Sequence, residues 1–313
     1  MKTVHLFFFA VFQLLILNGS LRAQSPDCPL SIMIFVADDA DEMTVQSMNY
    51  CKSKLTNIAT SNGLLPGEGL AQFSLTSTFS LINQEILPGP PTQFVNEYNV
   101  TLIIGDYYGQ KIFSSTSLNL KGVGENEAKA YLNAIGSIRA NSKDIQAFVS
   151  QARSKIMAYY NNNFQTIVSR SQFLAKQKRY EEALFHLYAV PECSKGGQIA
   201  QRASLQIYQD YVDHLCVENL AKAKSAWYAQ QNSEGASQAA EYLSFIYPDA
   251  RCYKDAQALY REIKGKVDAE WKFTLKVYDM AVSLERQRIE AIRAIGVAYG
   301  THQKPDITHI SWR

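Results

Sequence analysis

The sequence predicts an α+β protein in which an amino-terminal mixed sheet with packed helices, in the order β-α-β-β-β-α, precedes an all-α region. The hydrophobic pattern has a period of two residues in the first part of the chain and changes to a period of about 3.6 after Gly124. Strand patterns vanish beyond Asn161. The chain has 313 residues, of which 47% are hydrophobic, and this is enough for two globular domains.

The amino terminus is typical of a secretory signal peptide. Lys2 and His5 precede the apolar run from Leu6 to Leu17, which is too short for a membrane-spanning helix because such a helix needs about 20 apolar residues. We therefore expect residues 1–23 to be removed and the mature protein to be periplasmic or secreted, with no integral membrane segment.

Residues 28–140 predict the α/β domain. Ser31 to Ala37 is a short apolar strand, and Thr44 to Ser61, which contains neither Gly nor Pro, predicts a helix. Residues 63–69 are rich in Gly and predict a loop. Three alternating segments then predict an antiparallel meander, and they lie near residues 73–81, 98–104 and 111–120.

Residues 141–300 predict a helical-repeat domain, and residues 301–313 predict a flexible tail. Apolar residues recur at helical spacing with few interruptions by Gly or Pro. The segment from Asp268 to Tyr299 has one strongly charged side and predicts a long terminal helix that caps the repeats.

One segment of the helical region resembles the centre of a tetratricopeptide hairpin. Residues 175–187 read AKQKRYEEALFHL, where a helix turn is followed by an aromatic residue, acidic residues, alanine and large apolar residues. The resemblance implies repeat-packing roles for Ser171, Tyr180, Ala183, Leu187 and Pro191, with Tyr180 wedged between the two helices. A regular array is not predicted, because the helical stretch after Pro191 is far longer than the helices of that family.

A second segment repeats part of this pattern. Ala240 and Pro248 follow Ala183 and Pro191 at the same distance of 57 residues (240 − 183 and 248 − 191), which suggests a duplicated helix-turn unit. The chain has five cysteines, so at most two disulfides form. Cys193 and Cys252 each follow one of the two prolines, and we predict that they form one candidate disulfide.

The strand order and the strand-to-helix junction at residues 120–128 (LKGVGENEA) resemble those of certain bacterial envelope proteins. In these, a small exported α/β domain of the type found in curli-export and Tol-system proteins precedes tetratricopeptide-like helices. The resemblance implies an assembly or adaptor role and brings no catalytic residue.

The charge and the glycine spacing exclude several function classes. Lys and Arg number 31 against 29 Asp and Glu, so the chain has no basic field for nucleic acid. Gly122 and Gly124 lack the third glycine of a dinucleotide fingerprint and the lysine of a P-loop, so we predict no nucleotide cofactor.

The carboxylates Asp38, Asp39, Asp41 and Glu42 follow a strand and precede a helix. Helix capping explains them better than a metal site, because their spacing fits no calcium loop. We predict neither a metal nor a catalytic residue.

The sequence thus predicts a non-enzymatic adaptor or scaffold of the cell envelope that binds protein partners through a helical-repeat surface. Two alternatives stay open. A glycan or small-ligand binding module is one, because 18 Tyr occur in the chain and pairs such as Tyr159–Tyr160 and Trp227–Tyr228 place one ring inward and one outward. A hydrolase that uses Asp38, Asp39 or Asp41 is the other.

Overall fold

The chain forms a five-stranded mixed sheet followed mainly by helices, as its hydrophobic pattern predicts. The computed structural model describes residues 30–36, 44–67, 71–106, 109–267, 271–276 and 283–302. The strands are β1 (Leu30–Val36), β2 (Leu64–Pro66), β3 (Phe73–Leu87), β4 (Gln93–Asp106) and β5 (Lys111–Gly124). The helices are α1 (Val45–Ser61), α2 (Glu127–Gly136), α3 (Lys143–Lys176), α4 (Tyr180–Tyr188), α5 (Gly197–Ala229), α6 (Ser233–Leu243), α7 (Tyr253–Lys266) and α8 (Leu284–His302).

The predicted order of elements is confirmed with one addition. Residues 64–66, which the sequence predicts to be part of a loop, form β2 and pair in parallel with β1, where Leu64 lies opposite Leu30. Gly63 turns the chain out of α1 with a φ of 73°, a conformation that glycine adopts without a steric penalty. The turn places the Leu64 side chain in the core, and the burial of Leu64 stabilises the short strand.

The strands lie in the order β2-β1-β3-β4-β5. β1 is parallel to both of its neighbours, whereas β3, β4 and β5 form the predicted antiparallel meander. The alternation in β3 places Phe73 and Leu75 on the face that is covered by helices, and both side chains are buried.

Helices α1, α2 and α3 contact the same face of the sheet. The contacts are a pair of Sγ and Oγ atoms 3.4 Å apart between Cys51 and Ser77, a ring contact of 5.2 Å between Tyr131 and Tyr98, and a hydrogen bond of 2.9 Å from Ser114 to Gln151. Cys51 is a buried free thiol, consistent with its predicted role as a small hydrophobic residue.

Helix α2 lies unusually close to β5 because β5 ends in two glycines. A Cβ atom at Gly122 would lie 1.9 Å from the carbonyl oxygen of Ala130, and one at Gly124 would lie 2.5 Å from the Ala130 nitrogen. The backbone of α2 occupies this space, so the glycines at the strand-to-helix junction serve packing.

Helix α3 belongs to both parts of the molecule. Ile145, Phe148 and Ile156 in its first half and Tyr160 at its middle are buried in the same continuous core as the sheet, and the helix also contacts α4 and α5. The predicted boundary after residue 140 therefore precedes a helix of 34 residues that joins the two parts.

The helical part pairs long helices with short ones. Helix α5 has 33 residues, and the short helices α4 and α6 have 9 and 11 residues. The predicted terminal helix is shorter than expected: α8 begins at Leu284, and residues 271–276 form neither helix nor strand. Trp271 and Phe273, which the prediction places inside the terminal helix, instead pack their rings against Tyr260 of α7, at 5.8 Å and 6.1 Å.

The predicted disulfide between Cys193 and Cys252 is wrong. Cys252 is bonded to Cys216 of α5, with the two Cα atoms 6.1 Å apart, and Cys193 is engaged in another disulfide. Cys193 lies in the turn before α5 begins, whereas Cys216 lies about 29 Å further along that helix at 1.5 Å per residue. The length of α5 therefore separates the two turns that look equivalent in the sequence.

Candidate functional site

The junction between the sheet and the helical part contains an amphipathic cleft of about 400 Å³. We call it the junction cleft. It is lined by Gln72, Asp106, Gly109, Tyr159, Tyr160, Ile167, Arg170, Glu182, Phe185, His186, Ala189 and Tyr299. These residues come from the end of β4, from α3 and α4, and from α8, so both parts of the molecule are needed to build it.

Asp106, the last residue of β4, forms the floor of the junction cleft. The residue is only 7% exposed, and its Oδ1 accepts hydrogen bonds from the Gln72 side-chain amide at 2.6 Å and from the Gly109 backbone N–H at 2.7 Å. The carbonyl oxygen of the Gln72 side chain is buried and has no hydrogen-bond partner within the described residues. A donor group of a bound molecule would satisfy that oxygen.

Aromatic rings form one wall of the junction cleft. Tyr160 is buried with its ring 5.8 Å from that of Phe73, and Tyr159 stands against it at 5.1 Å. The Nζ atom of Lys111 lies over the ring of Tyr159 at 3.7 Å, which is a cation–π geometry. Burial and then the negative charge of Asp106 raise the pKa of Tyr160 well above its usual value, so its hydroxyl stays protonated and neutral.

Charged side chains of α3 and α4 also line the junction cleft. Glu182 of α4 pairs with Arg179 and lies 3.8 Å from Nε2 of His186. Burial, followed by the positive charge of Arg170, lowers the pKa of His186 below its ordinary value, so the imidazole is neutral at pH 7. Burial and the nearby Glu182 raise the pKa of Tyr299.

The junction cleft adjoins a second pocket of about 300 Å³, which we call the side pocket. Gln72 and Ala189 line both. The side pocket runs along the ends of β1, β2 and β3 and under the chain that follows α4, and Pro191, Glu192 and Arg293 lie on its border. The two pockets adjoin at Gln72 and Ala189, and we call them together the extended groove.

The arrangement suits binding by hydrogen bonds, aromatic contacts and charge. The carboxylates of Asp106 and Glu182 already accept hydrogen bonds or pair with cations, and the described residues contain no group of three or more His, Cys, Asp or Glu side chains placed to hold a metal. Asp38, Asp39, Asp41 and Glu42, the carboxylates on which the hydrolase hypothesis rests, lie outside the described residues.

The predicted repeat-packing residues lie in the helical part of the molecule. Ser171, Ala183, Leu187 and Ala240 are buried, and Pro191 and Pro248 follow α4 and α6. The ring of Tyr180 lies 5.6 Å from those of both Tyr211 and His214, so it contacts α5. Among these predicted residues only Pro191 borders the extended groove, in the side pocket.

Sequence reasoning missed most of the site. Asp106 looks like an ordinary turn residue, and His186 and Arg170 show no motif in the sequence. The one available signal is the Tyr159–Tyr160 pair, for which the prediction of one buried ring is confirmed: Tyr160 is buried and Tyr159 is half-buried.

The fold defines an α+β protein with a helical part and a cleft at the junction of the two parts, and comparison with known proteins adds little to this class. No family model matches the chain, and no curated protein matches it. Within the described part of the chain, no helix has the length and apolar character to span a bilayer.

Three solved structures show a weak likeness. A minor lipoprotein from Acinetobacter baumannii is 20% identical with a TM-score of 0.23, and the match covers 41% of this chain and 93% of that one. A PelC dodecamer from Paraburkholderia phytofirmans, solved as a point variant, is 12% identical with a TM-score of 0.25. That match covers 40% of this chain and 87% of the PelC chain. The hypothetical protein CT253 from Chlamydia trachomatis is 11% identical with a TM-score of 0.21. That match covers 41% of this chain and 95% of the CT253 chain. Function is therefore argued from this chain's own residues, and the resemblance to curli-export and Tol-system proteins stays a prediction.

Proposed function

We propose that the protein is an exported, non-enzymatic adaptor of the cell envelope that binds an extended segment of a partner protein along the junction cleft and the side pocket. In this proposal the tetratricopeptide-like hairpin of α3 and α4 lines the groove, and the end of the sheet forms its floor.

The observation that supports the proposal is that two pockets lie side by side. The junction cleft and the side pocket share Gln72 and Ala189 and have volumes of about 400 and 300 Å³. An extended chain segment fills two adjoining pockets with successive side chains, whereas a single small molecule fills one.

The residue types in the groove also favour a protein partner. Tyrosine and arginine are enriched among the residues that dominate binding energy at protein interfaces. The junction cleft places Tyr159, Tyr299 and Arg170 around the buried carboxylate of Asp106. The side-chain carbonyl oxygen of Gln72, which has no partner among the described residues, offers an acceptor to a backbone N–H of the bound segment.

The cysteines support the proposed compartment. Cys216 is bonded to Cys252, and Cys193 is also disulfide-bonded. Disulfides form and persist in oxidising environments such as the periplasm and the exterior of the cell. This agrees with the predicted removal of residues 1–23.

A photo-crosslinking amino acid placed at position 159 tests the proposal in the native envelope. We expect a covalent adduct with a partner protein, because Tyr159 lines the junction cleft. The same amino acid at position 228 serves as the control, since Tyr228 is exposed on α5 and lies outside the groove. Equal adducts at both positions, or none at position 159, would contradict the proposal.

A glycan or another small polar ligand is the second candidate, and one observation favours it. Tyr159, Tyr160 and Tyr299 line one cleft whose volume of about 400 Å³ lies within the range of small-ligand sites. A ligand of this kind would raise the melting temperature of the isolated mature protein, and the Tyr159→Ala variant would lose that rise.

A further inference from the structure

The hairpin of β3 and β4 carries a group of large apolar side chains that face solvent. Leu81, Ile82, Ile86 and Leu87 are all exposed, and the exposed fractions of Ile82 and Ile86 reach 59% and 54%. They lie within seven successive residues of β3. Exposed apolar groups of this density mark an interaction surface.

The same stretch of β3 has an open edge. β1 pairs with β3 only as far as Val36, which lies opposite Ser77. From Thr78 to Leu87, β3 pairs with β4 alone within the described residues. Natural edge strands are often blunted by charged residues, proline or β-bulges. This ten-residue edge contains no lysine or proline, one carboxylate at Glu85, and one register shift between Leu81 and Asn83.

We propose that a second copy of this chain pairs with this edge, β3 against β3 in antiparallel orientation, and makes a two-fold dimer with one continuous sheet. The proposal is independent of the junction cleft. The two-fold axis would lie between Ile82 and Asn83 of each copy.

The pattern of side chains on β3 fits this register. Phe79 and Leu81 lie opposite Val100 and Tyr98 of β4. The register shift between Leu81 and Asn83 then places Gln84 and Ile86 on the same face.

The four residues Phe79, Leu81, Gln84 and Ile86 are symmetric about the point between residues 82 and 83. In the dimer, Phe79 therefore faces Ile86 of the second copy, and Leu81 faces Gln84. Aromatic and β-branched residues form favourable cross-strand pairs of this kind.

The charges on the edge also favour a second copy. Glu85 is the only charged residue in β3, and in this register it faces Ser80 of the other copy. The two Glu85 carboxylates then lie about 17 Å apart along the strands, five residues at about 3.4 Å each, so they do not repel each other strongly. An anionic lipid surface is a poorer occupant, because β3 offers it no Lys or Arg and one repelling carboxylate.

Sedimentation of the full mature chain over a wide range of concentration tests the proposal, and we expect a monomer–dimer equilibrium. Ile86→Lys places a charge among the side chains that the two β3 strands share, opposite Phe79 of the other copy. This change should raise the dimer dissociation constant at least about tenfold. Val217→Lys is the matched control, since Val217 is 65% exposed on α5, and it should leave the dimer unchanged. Circular dichroism confirms that both variants are folded.

Disulfide trapping tests the register separately. The double variant Ser80→Cys, Glu85→Cys should form a covalent dimer on oxidation. The single variant Ser80→Cys should not, because its two cysteines would lie five residues apart along the strands, about 17 Å. A wild-type monomer at every concentration, an Ile86→Lys variant that dimerises normally, assemblies larger than a dimer, or a monomer that sediments with anionic phospholipid vesicles would each overturn the proposal.

Discussion

Gln72 donates a hydrogen bond of 2.6 Å from its side-chain amide to Oδ1 of Asp106, and this bond ties the residue before β3 to the last residue of β4. The backbone N–H of Gly109 donates to the same oxygen at 2.7 Å, so the turn into β5 is held as well. One buried carboxylate therefore fixes the end of the sheet that forms the floor of the junction cleft.

The Asp106→Ala variant should lower the free energy of unfolding by about 2–4 kcal/mol, because two N–H donors lose a charged acceptor in a buried place. Asp106→Asn keeps one oxygen acceptor and should cost about 1–2 kcal/mol. Urea denaturation of the two variants checks this order. An alanine variant as stable as the wild type would show that the carboxylate does not hold the sheet end.

Loss of the Cys216–Cys252 disulfide should lower the free energy of unfolding by about 2–4 kcal/mol, because the bond closes a loop with a sequence separation of 36. The double variant Cys216→Ser, Cys252→Ser isolates this effect without leaving a free thiol. Peptide mapping without reductant should recover the two cysteines in one linked fragment. A linked fragment that joins Cys193 to Cys252 would contradict the structure.

Gly122→Ala should destabilise the fold by more than about 3 kcal/mol, since the new Cβ would meet the carbonyl oxygen of Ala130 at 1.9 Å and displace α2 from the sheet. Gly265→Ala is the matched control. Position 265 lies within α7 and has no atom within 4 Å of an added Cβ, so the substitution should stabilise the protein by about 0.5–1 kcal/mol. Thermal unfolding of both variants measures the contrast, and equal effects would refute the close approach of α2.

His186 should make the protein less stable as the pH falls below 6.5. Its pKa is lowered in the folded state from the ordinary value of 6.5, so the unfolded chain takes up a proton first and unfolding becomes more favourable until the folded pKa is reached. His186→Gln should therefore lose less stability than the wild type between about pH 7.5 and pH 5. His214→Gln on α5 is the control, and if it flattened the pH profile as much as His186→Gln, the effect would not belong to the cleft.

The fold class was predictable because its signals are local. Alternation in β3 and the absence of Gly and Pro between Thr44 and Ser61 follow from how a single strand or helix buries one side. The short strand β2 was not predicted, because three residues are too few to show a hydrophobic period. It forms where Gly63 turns the chain and places Leu64 opposite Leu30 of β1.

The site and the disulfide were less predictable because they depend on distances between elements. Asp106, Arg170 and His186 are far apart in the sequence and meet only through the junction of β4, α3 and α4. Cys193 and Cys252 occupy similar turns in the sequence, but the length of α5 places Cys252 beside Cys216.

The central claim, that a partner segment binds in the groove, is tested most directly by titration calorimetry with the segment recovered from the crosslink at position 159. We predict that Arg170→Ala, a change of an exposed side chain on the cleft wall, weakens binding by at least about tenfold, as expected for an interface hot spot. Tyr228→Ala, outside the groove, should change the affinity by less than about twofold. Unchanged binding by Arg170→Ala together with a clear loss in Tyr228→Ala would place the partner elsewhere on the molecule and contradict the account.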